Sequence, residues 1–153
     1  MLTLARQKTA EQTRHIPYVE ADAMCLSFGD ESFDAVTIAF GLRNLAQFCE
    51  RSERALHRVI KPGGRLVVLE CSHPIVPGLQ AVFDFLLPRI LPRIGGMISG
   101  SRIAYEYLPD SVSAGFLISK ALASLMEQSG FSAVKYQNLT GGIAALHSGT
   151  KTV

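Results

Sequence analysis

The chain has 153 residues, of which 48% are hydrophobic, and a formal net charge of +2. That length suits one domain that buries about 68–70% of its unfolded surface. There is no basic block to bind nucleic acid, no apolar run of the roughly 18–20 residues that span a bilayer, and no signal-peptide core near Met1. Cys25, Cys49 and Cys71 are far apart and form no Cys-x-x-Cys pair, so reduced, packed thiols in a cytoplasmic protein are expected. No metal-ligand cluster is expected either.

Residues 1–13 read as a helix, with Leu2, Leu4 and Ala5 on one side. Ile16 to Ala21 reads as a short strand, and Pro17 suits a strand start or an edge. Asp22 stands at its tip, where a carboxylate either accepts from a ligand amino group or caps a turn. Gly29-Asp30-Glu31-Ser32 is a turn. Phe33 to Phe40 is the next strand; Ala35, Val36, Ile38 and Phe40 give it the composition of a strand covered on both faces. Ala39 is small and near the carboxyl end, so a ligand can approach the backbone there. Gly41-Leu42-Arg43-Asn44 is the loop beyond. Gly41 gives it backbone freedom. Arg43 offers a planar fork of donors, for a phenolate or carboxylate oxygen or for a surface ion pair. Asn44 can cap the following helix.

That helix covers 45–60, and Leu45, Phe48, Cys49, Ser52, Leu56, Val59 and Ile60 form its sheet-facing stripe. Arg51, Glu53, Arg54 and Arg58 read as a solvated face, with His57 exposed among them. Pro62 ends the helix, and Gly63-Gly64 allows a sharp reversal. Leu66 to Leu69 is then a buried parallel strand, with a polar tip at Glu70 and Ser72. In open parallel sheets, ligands sit beyond such carboxyl ends.

Residues 75–111 combine prolines with many large apolar groups, among them Val82, Phe83, Phe85 and Leu86. A helix is expected at 79–91 and a bend at 95–101. The stretch is an apolar lid or insertion within the single domain 1–153; membrane-surface contact, a subunit interface and plain core packing are the other readings. Residues 112–129 form a helix with Gly130 as its C′ residue. Two strands, 133–139 and 143–149, flank Gly141-Gly142 as an antiparallel hairpin. His147 reads as a packed structural histidine.

The stretch from Arg58 to Ser72, with Lys61-Pro62-Gly63-Gly64 and the Glu70/Ser72 tip, resembles the ubiquinone/menaquinone biosynthesis C-methyltransferases. So do Asp22-Ala23, Ser32 to Val36, Phe40 to Asn44, Asn138 to Ile143 and Ala145 to His147. The resemblance implies an α/β fold: the Rossmann-like class I methyltransferase sheet, of order 3-2-1-4-5-7-6, closed by a C-terminal antiparallel hairpin. It implies S-adenosylmethionine as methyl donor, with Asp22, Ala23, Ala39, Phe40 and Gly41 around it. At Ala39 the family often has Ser, so only a backbone or packing contact carries over. Arg43 and Asn44 are implied as the catalytic pair.

The implied reaction moves a methyl group to a ring carbon of a polyprenylated quinol. The enzyme must align carbon and methyl, exclude water and raise the ring's electron density. A cation beside the ring hydroxyl lowers its pKa, and Arg43 is the candidate. The glycine-rich first turn and the first two strands of that sheet are not found in these residues, so an N-terminally truncated sheet is expected. With those strands absent, the 33–40 edge is expected to pair with the 16–21 strand or with a second chain, as a homodimer. Weak or no donor binding is expected, and the alternative reading is a non-catalytic interaction module or a dimeric remnant of the methyltransferase fold. Peripheral contact with the inner membrane face is a further expectation. A dehydrogenase is disfavoured because no Gly-x-Gly-x-x-Gly occurs.

Overall fold

The computed structural model describes residues 2–9, 16–42, 50–90 and 119–152. In chain order these form helix α1 (Leu2–Thr9), strand β1 (Phe33–Ala39), helix α2 (Glu50–Val59) and strand β2 (Ile60–Cys71). Helices α3 (Leu79–Arg89) and α4 (Ser119–Gln128) and the hairpin β3 (Phe131–Leu139) and β4 (Ala144–Lys151) follow. The sheet order is β1-β2-β4-β3. β1 and β2 are parallel, and β4 runs antiparallel to both β2 and β3. This is the 4-5-7-6 half of the expected sheet.

Helices α2 and α4 close one face. Leu56 and Val59 of α2 meet Leu66 and Val68 of β2, Leu122 and Met126 of α4, and Phe131, all buried. Each such side chain contributes about 1.5–3 kcal/mol by leaving water. Arg58 was expected in solvent. Instead it holds the segment before β1 against α2: its guanidinium donates to the carbonyls of Leu26 and Phe28 and to Asp30, each at 2.7 Å. The Glu31 N–H returns a bond to the Arg58 carbonyl at 2.9 Å. A planar fork serves several acceptors at once, which periodicity along the helix does not reveal. His57 is likewise half-buried rather than exposed, its ring edge-on to Phe131 at 5.3 Å.

Three further expectations change. Ile16 to Ala21 is irregular, not a strand, and among the described residues β1 is bonded only to β2. Without an adjacent strand, a short apolar run gains no ladder and its propensity alone does not make it extended structure. β1 is consequently not covered on both faces: Phe33, Val36 and Ile38 are half-buried, whereas Ala35, Thr37 and Ala39 are exposed. Finally, Lys61-Pro62-Gly63-Gly64 lies within β2 and does not precede it. Phe33 pairs with Ile60 and Ala35 with Arg65, so these four residues bulge out opposite Asp34 alone. Lys61 and Asp34 bridge the bulge at 2.7 Å, which holds the Asp34 carboxyl below its usual pKa.

Gly64 is the tight point of that bulge. A Cβ there would lie 2.7 Å from Ile60 Cγ2 and 2.8 Å from the carbonyl oxygens of Asp34 and Lys61. Gly64→Ala is therefore expected to destabilise the protein by about 1–3 kcal/mol, as overpacking does. A lower urea midpoint at unchanged slope checks this; an unchanged midpoint contradicts it.

Candidate functional site

β1 and β2 are parallel, so their carboxyl ends share one end of the sheet. β4 is antiparallel to β2, with Ala144 opposite Cys71 and Leu139. The turn Thr140–Gly142 therefore lies at that same end. Three segments meet there: Ala39 to Gly41, Ser72 to Ile75, and Asn138 to Gly142.

The first segment leaves β1 with Phe40 in the left-handed region, φ 51°, and its N–H donates to the Leu69 carbonyl at 2.8 Å. That conformation costs a non-glycine residue about 1–2 kcal/mol. It also ends the strand abruptly. Ala39 and the Phe40 ring are exposed, and Gly41 is half-buried. Asp22 and Ala23 lie in a separate turn. Asp22 Oδ1 accepts the Met24 N–H at 2.8 Å, and its carbonyl accepts the Cys25 N–H at 3.0 Å. Its described bonds are those of a turn-capping Asp. Arg43 and Asn44 lie outside the described residues.

The second and third segments are locked together by backbone. The Ser72 N–H donates to Ile143 at 2.8 Å and the Ile75 N–H to Gly141 at 2.9 Å. Thr140, Gly141 and Gly142 all have positive φ (48°, 65° and 96°). At Gly142 a Cβ would stand 2.8 Å from both the His73 carbonyl oxygen and the Ile75 nitrogen. The paired glycines thus let one loop lie directly on the other.

Under this junction is a cleft of about 350 Å³, lined by Ser72, Ser119, Asn138, Tyr136 and Ile75 among others. Its size is at the lower end for ligand sites. Buried Ser72 and Ser119 meet hydroxyl to hydroxyl at 2.7 Å. Ser119 Oγ also donates to Asn138 Oδ1 at 3.1 Å. His147, 1% exposed, holds the Ser119 carbonyl through Nε2 at 2.8 Å. A carbonyl only accepts, so Nε2 carries the proton. Tyr136 stacks on the His147 ring at 5.5 Å. The sequence pointed to Ser72 only as a polar strand tip and to Asn138 only through its loop motif. Ser119 carries no local signal.

A family model described as the ubiE/COQ5 methyltransferase family matches residues 1–151. The chain belongs to that family. A demethylmenaquinone methyltransferase from Thermus thermophilus is 47% identical over 151 residues, which are 99% of this chain and 67% of that protein. A ubiquinone/menaquinone biosynthesis C-methyltransferase from Escherichia fergusonii is 42% identical over 153 residues, covering 99% of this chain and 60% of that one. The chain therefore spans roughly three fifths to two thirds of these relatives. Among solved structures, a S-adenosylmethionine-dependent methyltransferase from Thermotoga maritima matches with a TM-score of 0.60 at 19% identity, over 88% of this chain and 63% of that one. A phosphoethanolamine N-methyltransferase from Haemonchus contortus matches with a TM-score of 0.66 at 11% identity, over 100% of this chain and 41% of that one. These neighbours share the fold, which is that of class I methyltransferases.

The family's Ala145-Leu146-His147 stretch carries a titration consequence. Burial, the main cause, lowers the His147 pKa against its bond to the Ser119 carbonyl. Burial and then the Lys151 charge lower that of His57, partly offset by the nearby Gly130 backbone. An unfolded histidine titrates near 6.5. Below about that pH the unfolded chain takes up protons that the folded chain refuses, so stability is full above it and falls as pH drops toward the folded values. Thermal melts from neutral to mildly acidic pH are expected to show this loss, and the variant H57Q/H147Q a flatter slope. An equal slope in the variant contradicts the assignment.

Proposed function

We propose that this chain serves S-adenosylmethionine-dependent C-methylation of a polyprenylated quinol in ubiquinone or menaquinone biosynthesis. The match of residues 1–151 to the family carries the reading, and the names of the Thermus and Escherichia relatives support it. The residues at the carboxyl end of β1 fit the donor. Exposed Ala39 leaves the backbone approachable, and the Phe40 ring, 44% exposed, offers a face to a planar or cationic group. Asp22 and Ala23 complete the donor set in this reading, with Gly41 at the turn. S-adenosylmethionine supplies an electrophilic sulfonium methyl when bound. Arg43, assisted by Asn44, stabilises the ring oxygen as an anion, which raises electron density on the ring carbon that accepts the methyl.

The quinol's apolar tail runs along α3 and the stretch before it, the start of the 75–111 lid. Ile75, Val76, Val82, Phe85 and Leu86 are all 42% exposed or more. Among the described residues no helix is long and apolar enough to cross a membrane. The exposed apolar side chains of this face meet the inner membrane surface peripherally in this reading.

The test is methyl transfer from labelled S-adenosylmethionine to a demethyl quinol. Arg43→Ala is expected to lower turnover by about 10²–10³-fold, the scale of one lost electrostatic stabiliser. Full activity in that variant removes Arg43 from the mechanism, and transfer to a ring oxygen would overturn the reading. Among the described residues β1 is paired along one edge only, which favours pairing with a second copy as a homodimer. Light scattering at high micromolar concentration is expected to give twice the chain mass, and a monomer contradicts the pairing.

A further inference from the structure

The hydroxyl chain in the cleft has a direction. A serine hydroxyl has one hydrogen. Ser119 spends its hydrogen on Asn138 Oδ1, at 3.1 Å. The 2.7 Å contact with Ser72 must then be Ser72 donating to Ser119. The Ser72 oxygen consequently has lone pairs and no spare hydrogen to offer. Asn138, its Oδ1 engaged, has its amide NH₂ to offer, and no bond from that nitrogen is found among the described residues. Both residues line the cleft, between Pro74, Ile75 and Tyr136. His147 fixes the Ser119 backbone from below through the 2.8 Å bond to its carbonyl.

We propose that this cleft is a subsite that selects the hydroxyl group of an aromatic alcohol, with Ser72 accepting its hydrogen and Asn138 donating to its oxygen. A hydroxyl both gives and takes at one atom. An ether or ketone cannot satisfy Ser72, and a carboxylate would set its own lone pairs against those of Ser72. Pro74, Ile75 and Tyr136 suit the flat, apolar remainder of a ring, beside the polar Gln80 and Lys120 of the same lining. Selection of hydroxyl over ether follows from the cleft alone; the aromatic carrier rests on the quinol reading above.

Methylhydroquinone and its dimethyl ether share ring and methyl and differ in hydrogen-bond donation. Titration of each into the labelled protein, followed by amide NMR, is expected to shift Ser72, Ser119 and Asn138. The hydroquinone should bind about fivefold more tightly, the worth of one net hydrogen bond. Ser119→Ala frees the Ser72 hydrogen and leaves Asn138 unanchored. It is expected to bring the two affinities together by tightening ether binding, since Ser72 can then donate to an ether oxygen. Equal affinities in the parent protein, tighter binding of benzoate, or shifts confined to another face would each overturn the subsite. These titrations need no methyl donor. Failure of methyl transfer with hydroxyl selection intact would sink the proposed reaction and leave the subsite standing.

Discussion

The structure depends on β2 being hydrogen-bonded along both edges. Its apolar centre, Leu66 to Leu69, pairs with β1 on one side and β4 on the other. Buried peptide groups left unpaired there would cost about 1–3 kcal/mol each. One neighbour is parallel and the other antiparallel, and that mixture brings two strand ends and the hairpin turn to one end of the sheet. The site is therefore a product of strand direction. Its residues come from segments far apart in the chain, and no single segment holds them all.

At that end, backbone fixes geometry before side chains act. Three successive residues with positive φ fold Thr140 to Gly142 onto His73 to Ile75. Strain in such a turn persists only where the surroundings over-determine it. Here two backbone bonds, to Ser72 and to Ile75, supply that restraint. Asn138 sits just before the turn and Ser72 just before the loop it covers. The spacing between the two polar residues follows from the turn.

Much of the fold was legible in the sequence because its signals are local. The hairpin follows from the short spacing of two strands around Gly141-Gly142, and the helix at 79–89 falls within the expected 79–91. Misreadings arose where neighbours decide. Ile16 to Ala21 has strand composition and no strand beside it. Arg58 looks like a surface charge on a helical wheel, yet its acceptors lie about thirty positions earlier, at Leu26, Phe28 and Asp30. The glycine pair at 63–64 suggests a reversal from sequence, and it lies in a bulge because Lys61 to Gly64 stand opposite Asp34 alone. In the site, Ala39 to Gly41 could be placed from the strand pattern and family motif. The Ser72–Ser119–Asn138 cluster could not, since Ser119 resembles any polar helical residue until the fold sets it against two others.

The pairing of Cys71 with Ala144 closes the whole stretch 72–143 into a loop anchored at both ends by the sheet. Closure entropy grows only with the logarithm of loop length, so doubling such a loop costs about 0.6 kcal/mol. The hairpin's own contacts are near in sequence and can form before it docks beside β2. Within that loop, exposed residues such as Val82, Phe85 and Leu86 can thus be exchanged at little expense to the sheet, whereas Leu122, Met126 and Phe131 belong to the core. A protein built this way can vary that exposed face over evolutionary time while its strand order stays the same.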